Sequence, residues 1–368
     1  MENYTVTFPG YTVSENDYAA VPAICSAYGK TAVIIGGKKA MGKAKDLVAA
    51  AVAGSDIEII DFLWFGGEAA YENVAILKMQ DSVQKADMIF AVGGGKVMDT
   101  CKVLAQILDK PYFTFPTIAS NCAAFTSLAV MYRLDGSFKE LSFSKVHPIH
   151  VFLCLNLFAD APSKYLWAGM GDTIAKYYEA TLSARGKELE YANAMGVQLS
   201  ALCAEPIFRN GQKALADNVK QVLSRELEQT ALAIVVTTGM VSNYVTQDYN
   251  GHIAHALYCS LVSLPQIEKK HLHGEVVAYG VLILLACDEN SKELARMVSF
   301  CRTVGLPTCL EDIDVTMEEM EKILDQTVES QELVCSPYEV KKTMLRDAVL
   351  YMEAYAKQSG SATKAVMV

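Results

Sequence analysis

Short apolar runs alternate with amphipathic stretches over about the first 150 residues of the chain. Runs rich in Val, Ile and Phe favour buried strands, and a hydrophobic repeat of about 3.6 residues is typical of helices. Strands and helices in alternation predict a parallel α/β sheet. The predicted strands are Thr31–Ile35, Ile57–Ile60, Met88–Val92, Tyr112–Phe115 and His150–Leu155, the predicted helices between them are Lys43–Val52 and Glu72–Lys85, and a turn is predicted at Arg133–Ser137.

The pattern changes after Pro162, where long segments with helical periodicity follow and strand signals almost disappear. These segments are Leu189–Ile207, Leu223–Tyr244 and Tyr338–Gln358. A chain of 368 residues is also longer than one hydrophobic core usually supports. We therefore expect an α/β domain of residues 1–160 followed by an all-α domain of residues 161–368.

Composition and charge narrow the class of protein. Hydrophobic residues make up 52% of the chain and charged residues 20%, which is enough apolar material for two cores. The net charge of −10 argues against nucleic acids and anionic membranes as partners, because phosphate binding needs a basic face. The start of the chain, Met1–Tyr4, lacks the features of a signal peptide, and the ten cysteines form no CxxC pair. We expect a cytoplasmic protein with free thiols.

Three glycines and a lysine follow the predicted strand at residues 88–92. They are Gly93-Gly94-Gly95-Lys96, and a helix is predicted to open at Val97. Glycines let the backbone approach a phosphate closely, and a helix N-terminus presents free N–H groups and the positive end of its dipole. A tight strand–helix turn usually needs one glycine and not three. The segment therefore predicts a pyrophosphate cradle, although its spacing matches neither GxGxxG nor a P-loop.

Candidate metal ligands occur in three segments. Asp172 is predicted to open a helix, and taken alone it is better interpreted as the N-cap of that helix than as a ligand. The chain has six histidines, and four of them lie between His252 and His273, in the pairs His252/His255 and His271/His273. A lone histidine on an apolar face is usually structural, but such crowding indicates a binding site. One carboxylate with two imidazoles suits Zn²⁺ or Fe²⁺ and leaves room for a substrate oxygen.

Five motifs follow one another along the chain: Gly93–Lys102, Pro116–Ser120, Ala168–Asp172, Ala254–Ala256 and His273–Gly280. In this order they resemble the iron-containing alcohol dehydrogenase superfamily, specifically its glycerol dehydrogenase branch. The resemblance implies a dehydroquinate synthase-like fold, with an N-terminal Rossmann-like dinucleotide-binding domain, a C-terminal helical metal-binding and substrate domain, and a cleft between them. It also implies a homo-oligomer that acts on a small molecule.

The resemblance assigns roles residue by residue. Asp172, His255 and His273 match the family's metal ligands and form the implied catalytic centre. His252 and His271 lie beside two of these positions and are interpreted either as structural residues or as residues that support the ligands. The implied chemistry is transfer of a hydride between nicotinamide and a carbonyl that the metal polarises. The implied cofactor-binding residues are Gly93, Gly94, Gly95, Lys96, Asp99, Thr117, Ser120, Thr126, Leu128 and Tyr132.

One departure from the glycerol dehydrogenase pattern concerns the substrate. Where glycerol dehydrogenases carry an aspartate that would bind a polyol hydroxyl, this chain has Cys122, followed by Phe125. A thiol is a weak partner for a hydroxyl group, so glycerol is a doubtful substrate. The segment is more similar to that of a sister group that reduces 2-oxo acids, the hydroxycarboxylate dehydrogenase B type. Cys122 and Phe125 are therefore the candidate substrate residues.

A second departure concerns the cofactor. After the first strand, Gly37 stands where NAD-preferring relatives place an aspartate, and Lys38 and Lys39 follow. An acidic residue there binds the ribose 2′-hydroxyl and repels a 2′-phosphate. Its absence, with two lysines beside it, predicts that NADP(H) is used at least as well as NAD(H). The alternative, without a functional role, is that both lysines are ordinary solvated residues at the start of a helix.

Two other functions would also account for some of these motifs. A lyase similar to dehydroquinate synthases would use the same fold and metal with NAD bound only transiently, but residues 250–280 contain few of the lysines and arginines that such substrates require. A non-enzymatic nucleotide-binding protein would not need a complete set of metal ligands. A metal-dependent dehydrogenase is therefore the leading hypothesis.

Overall fold

The computed structural model describes residues 5–144 and 147–358. Its contacts divide the chain into two compact units. The first unit contains the chain up to Tyr165 together with Asp217–Ala231, and the second contains Leu166–Ala216 and the chain from Leu232 onward. All the strands of the described residues lie in the first unit, as the switch in periodicity predicts.

The eight strands of the described chain are β1 (Gly10–Ser14), β2 (Thr31–Gly36), β3 (Glu58–Trp64), β4 (Met88–Gly93), β5 (Tyr112–Pro116), β6 (Leu128–Tyr132), β7 (Phe138–Phe143) and β8 (His150–Cys154). Six of them form a parallel sheet in the order β3-β2-β4-β5-β8-β1. The other two, β6 and β7, form an antiparallel hairpin. The parallel sheet confirms the predicted α/β class.

The five predicted strands are confirmed, although the second runs four residues further than expected, to Trp64. Central strands such as β4 are buried at every position, because both faces of a parallel sheet are covered, and they are therefore visible as continuous apolar runs. The edge strand β1 and both hairpin strands, β6 and β7, were not predicted. Neither β1 nor β7 contains a buried residue, whereas β6 is a short apolar run that alternates between half-buried and buried positions. The predicted turn at 133–137 closes the hairpin, where the Arg133 N–H donates to the Ser137 carbonyl (2.8 Å).

Six helices accompany the strands up to residue 159. They are α1 (Val21–Cys25), α2 (Lys38–Val52), α3 (Tyr71–Lys78), α4 (Asp81–Lys85), α5 (Gly95–Leu108) and α6 (Leu155–Ala159). Helix α2 buries Ala44, Val48 and Val52, one stripe at helical spacing, in the core cluster that also contains Phe90 and Phe115.

The rest of the described chain is helical. Its helices are α7 (Ser163–Ala184), α8 (Tyr191–Leu199), α9 (Ala201–Val219), α10 (Arg225–Leu232), α11 (Thr238–Tyr244), α12 (Ile253–Leu261), α13 (Pro265–Lys270), α14 (His273–Cys287), α15 (Ser291–Val304), α16 (Met317–Thr327) and α17 (Lys342–Gln358). Helix α14 is buried on all its faces from Val276 to Leu285, as expected for the central helix of a bundle. Within the described residues, every helix is too short or too polar to cross a membrane.

Several predicted helix limits were wrong. The stretch 72–85 is two helices, α3 and α4, and the stretch 223–244 is interrupted by a π-helical segment at Ala233–Thr237. The most consequential correction concerns Asp172, which we expected at the start of a helix. It lies in the middle of the 22-residue helix α7. The glycines at 169 and 171 are both helical positions, and at Gly171 another helix approaches closely.

Helices α7 and α14 cross so closely that the backbone of one contacts the backbone of the other. A Cβ atom built on Gly274 would overlap the carbonyl oxygen of Ala168, and one built on Gly171 would overlap the carbonyl oxygen of Gly274. Only glycine permits this separation. The crossing sets Asp172 of α7 beside His273, the first residue of α14.

We expect Gly274→Ala to lower the free energy of unfolding of the metal-free protein by about 1–3 kcal/mol, the usual cost of forcing a methyl group into a packed core. Gly42→Ala is the matched control, because Gly42 lies in α2 with no atom within 4 Å of its missing Cβ. The control should gain roughly 0.5–1 kcal/mol from helix propensity. Denaturant unfolding measures both values, and equal effects would contradict the tight crossing.

Candidate functional site

One carboxylate and two imidazoles converge in the second unit. Asp172 comes from α7, His255 from the first turn of α12 and His273 from the start of α14. One ligand atom from each lies within 4.8 Å of the others. Asp172 Oδ1 is 3.4 Å from His255 Nε2 and 3.2 Å from His273 Nε2. This donor set fits a borderline divalent cation such as Zn²⁺ or Fe²⁺.

The cluster is buried on one side and open on the other. The exposed fraction of the side chain rises from 11% for Asp172 and 19% for His255 to 41% for His273. Burial raises the pKa of the Asp172 carboxyl, but the charges and hydrogen bonds of His273 and His255 outweigh it and hold the pKa well below its usual range. The carboxylate is therefore ionised at neutral pH, and a fourth ligand could reach the cluster from the His273 side.

The two histidines are held differently. His255 Nδ1 lies 2.5 Å from Oε2 of Glu179, a carboxylate that is completely buried. Burial lowers the pKa of His255, but the Glu179 and Asp172 carboxylates more than compensate and raise it to about 10. The ring of His273 packs edge-on against Tyr258, with ring centroids 4.2 Å apart. Glu179 was not predicted from the sequence, although its position seven residues after Asp172 places both on one face of a continuous helix.

His252 and His271 lie beside the ligand positions, and the structure does not bring either into the cluster. His252 is fully buried, and burial lowers its pKa to about 4, with the Glu179 charge acting against it. His271 Nδ1 lies 2.8 Å from Glu275 Oε1 in the same turn of chain. Their interpretation as structural residues stays a prediction.

The predicted cofactor residues gather at the carboxyl edge of three neighbouring strands of the first unit. Gly37 follows β2, and its N–H donates to Val92 O of β4 (3.4 Å). Thr117 follows β5, and its N–H donates to Gly93 O at the end of β4 (3.1 Å). Between β2 and β4 the order of strands reverses, which is where open α/β sheets bind ligands.

The three glycines form the turn from β4 into α5, and the helix begins at Gly95, two residues earlier than predicted. Gly93 has a φ of 154°, which disfavours any side chain, and a Cβ atom there would lie 2.8 Å from Val97. Since the first N–H groups of a helix have no partner within it, the start of α5 can receive a phosphate.

Two lysines near this turn already have partners. Lys96 Nζ lies 2.6 Å from Glu68 Oε2 and 4.9 Å from the centre of the Tyr132 ring. Lys102 is completely buried in α5, and its Nζ donates to Asp99 Oδ1 (2.9 Å), Thr126 Oγ1 (3.4 Å) and Leu128 O (2.5 Å). Burial raises the pKa of Asp99, and Lys102 opposes the rise.

The structure thus places Asp99, Thr126 and Leu128 around one buried ammonium group, which joins α5 to the segment that leads into β6. In the sequence Lys102 is part of a motif but has no assigned role, because its burial depends on residues that are distant along the chain. The cofactor contacts of these three residues stay predictions.

The remaining predicted residues lie around the same edge. Lys38 and Lys39 are exposed in the first turn of α2, and Lys38 Nζ stands 4.3 Å from the centre of the Trp64 ring. Ser120 and Cys122 are half-buried, and the Cys122 carbonyl accepts the N–H of Phe125 (2.8 Å). The Phe125 side chain is completely buried, which leaves Cys122 as the more accessible candidate for contact with a substrate.

Residues 9–153 match the family model described as iron-containing alcohol dehydrogenase. The curated hydroxycarboxylate dehydrogenase A of Escherichia coli (strain K12) is 30% identical over 296 residues, covering 79% of this chain and 81% of that protein. The glycerol dehydrogenase of Thermotoga maritima is 32% identical over 278 residues, covering 73% of this chain and 75% of that protein.

Solved structures show the same fold at lower sequence identity. The glycerol dehydrogenase from Schizosaccharomyces pombe superposes with a TM-score of 0.86 at 22% identity, covering 100% of this chain and 94% of that one. A probable glycerol dehydrogenase from Sinorhizobium meliloti 1021 gives a TM-score of 0.84 at 24% identity, covering 97% of this chain and 100% of that one.

Proposed function

The chain belongs to the iron-containing alcohol dehydrogenase family, and we propose that it interconverts a small 2-oxo acid and its 2-hydroxy acid, using NADP(H) at least as well as NAD(H). As a member of this family it is a metal-dependent, NAD(P)-linked oxidoreductase. Its relatives include glycerol and hydroxycarboxylate dehydrogenases, so its substrate class is small polyols or hydroxy acids. These dehydrogenase names also remove the support for a lyase or a non-enzymatic protein.

The observation that carries the proposal is the convergence of Asp172, His255 and His273 within 4.8 Å. These residues would hold a divalent cation, Zn²⁺ or Fe²⁺, and still leave a coordination position for a substrate oxygen. The bound cation would supply Lewis-acid polarisation of the substrate carbonyl or stabilisation of the alkoxide. The single carboxylate keeps the net charge of the centre positive, which suits both an alkoxide and an anionic substrate.

We expect His273→Ala to weaken Zn²⁺ binding by more than about a hundredfold, which exceeds the cost of losing a residue that merely supports a ligand. The variant should stay folded, because the His273 side chain is 41% exposed and fills little of the core. Competition with a chromophoric chelator measures the affinity. His271→Ala is the matched control two residues away, and loss of metal in the control alone would contradict the assignment.

The preference for a 2-oxo acid is supported by Cys122. A neutral thiol replaces the aspartate of glycerol dehydrogenases, so a polyol hydroxyl loses a strong acceptor. The same exchange removes a negative charge that would repel a substrate carboxylate, and a like-charge contact can cost several kcal/mol. Cys122 therefore acts against glycerol and permits an anion.

We expect Cys122→Asp to raise the ratio of kcat/KM for glycerol to that for a 2-hydroxy acid, about tenfold or more if the carboxylate reaches a hydroxyl group. Steady-state kinetics with both substrates measure the ratio. Cys309→Asp is a control of the same chemistry at another half-buried cysteine, in the second unit. A parent enzyme that already prefers glycerol would show that the substitution was overinterpreted.

The cofactor proposal is supported by the start of α2. Gly37 is the N-cap of this helix, and Lys38 and Lys39 place two exposed ammonium groups in its first turn. An aspartate at the N-cap would repel a ribose 2′-phosphate, whereas glycine leaves space for it. Each charge-assisted hydrogen bond from a lysine to the phosphate would contribute roughly 1–3 kcal/mol.

We expect Gly37→Asp to shift the kcat/KM preference toward NADH by about tenfold or more. The new side chain fits, since the nearest atom to a Cβ at this position is 3.8 Å away, and aspartate is a favourable N-cap. Gly42→Asp adds the same charge to an open position of the same helix and should leave the preference unchanged. A parent enzyme with a tenfold or greater preference for NADH, or no shift on substitution, would refute the cofactor assignment.

A further inference from the structure

One face of α7 carries a stripe of buried polar residues that all contact the start of α12. Lys176 Nζ donates to the backbone oxygen of Asn250 (2.6 Å) and to its side-chain oxygen (2.7 Å). Glu179 receives donors from the chain at 252–255, and Ser183 Oγ donates to Gly251 O (3.1 Å). With Asp172, these residues are spaced by four, three and four positions, so they lie on one helix face.

Glu179 is the member of this stripe that reaches the imidazole. Its Oε1 accepts the backbone N–H groups of His252 and His255, both at 2.8 Å, and its Oε2 lies 2.5 Å from His255 Nδ1. The side chain is completely buried, so no solvent can replace these contacts. An ionised carboxylate can only accept hydrogen bonds. The nitrogen that faces it must therefore carry a proton.

This geometry decides which nitrogen of His255 can bind a metal. A histidine ligates a metal through its neutral ring, and with the Nδ1 proton held by Glu179 the lone pair of that ring is on Nε2, which points at Asp172. We propose that Glu179 is a positioning residue that fixes this tautomer and orientation of His255, so that Nε2 is available as a metal ligand. The inference rests on the proposed role of His255 as a ligand.

Glu179 also has a structural task that must be separated from this role. The N-cap of α12, His252, makes no side-chain cap, and Glu179 accepts two of the first N–H groups of that helix from outside. Capping needs only an acceptor at the position of Oε1. Orientation of the imidazole needs an acceptor at Oε2 as well. A glutamine has only one acceptor oxygen, so it can cap the helix but cannot also accept from His255 Nδ1.

The test is Glu179→Gln in the full chain, with Zn²⁺ affinity measured by chelator competition. The amide oxygen can keep both backbone N–H groups, which leaves the NH₂ facing His255 Nδ1. The ring must then accept at Nδ1 and carry its proton on Nε2, where it blocks the metal. We expect Zn²⁺ to bind about 10–100-fold more weakly, the usual loss when such a partner is removed, while the metal-free variant still unfolds cooperatively.

Glu179→Asp separates orientation of the His255 ring from capping of α12. Its side chain is one methylene shorter, but its carboxylate can still only accept hydrogen bonds. It should cap α12 less well than glutamine and unfold at a lower temperature, yet bind Zn²⁺ more tightly than Glu179→Gln. If Glu179 only caps the helix, the variant that unfolds at the lower temperature will also bind Zn²⁺ more weakly. Glu179→Asp would then bind Zn²⁺ more weakly than Glu179→Gln, and the proposal is overturned. Failure of Glu179→Gln to fold without metal would overturn it too.

Two controls complete the experiment. Glu293→Gln removes another carboxylate of the second unit, one that accepts from Tyr178 (2.8 Å), and it should leave Zn²⁺ affinity unchanged. His255→Ala distinguishes an error in the proposed metal site from an error in the proposed role of Glu179. If it binds Zn²⁺ as the parent does, the proposed metal site itself is wrong. If it loses Zn²⁺ while Glu179→Gln does not, the site stands and the role of Glu179 is wrong.

Discussion

The crossing of α7 and α14 at Gly171 and Gly274 is the constraint on which the candidate metal centre depends. Two helices with ordinary side chains at their crossing lie 8–10 Å apart, as measured between axes. Here each glycine faces the other helix's backbone directly. The carboxylate of Asp172, a short side chain, can reach the ring of His273 only because the helices meet in this way.

The second histidine depends on a different interaction. Helix α7 offers α12 a line of buried polar groups, and each finds a partner at residues 250–255. A buried polar group without a partner costs about 1–3 kcal/mol, and a charge costs more, so this match fixes one register between the helices. The same contacts that satisfy the polar groups also orient His255. Stability and ligand geometry therefore rest on the same side chains.

The candidate cofactor site of the first unit depends mainly on backbone groups and not on side chains. Three neighbouring parallel strands end at one edge, and the residues that follow them are glycines or small polar residues. A phosphate can be received there by N–H groups at the start of α5, which need no side chain at all. The side chains behind this edge hold the loops in place. Lys102 is the clearest of them, because its buried ammonium group joins α5 to residues 126–128.

The sequence by itself determined the class of the fold, the central strands, the glycine turn between β4 and α5, and the three residues that converge at the candidate metal centre. These features repeat at short range or occur as ordered motifs, so local pattern is sufficient to find them. Strands β1 and β7 escaped detection because neither contains the buried apolar run that marks the central strands, and β6 was missed as well. Asp172 was assigned to a helix start, whereas it lies in the middle of α7.

Only the tertiary structure showed that Gly171 of α7 belongs to a helix crossing. It alone revealed Glu179 and Lys102 as partners of residues 76 and 26 positions away. A buried charge and an exposed one have the same letter in the sequence. Their difference lies in which distant groups the fold brings within hydrogen-bonding distance, and that depends on the packing of whole helices.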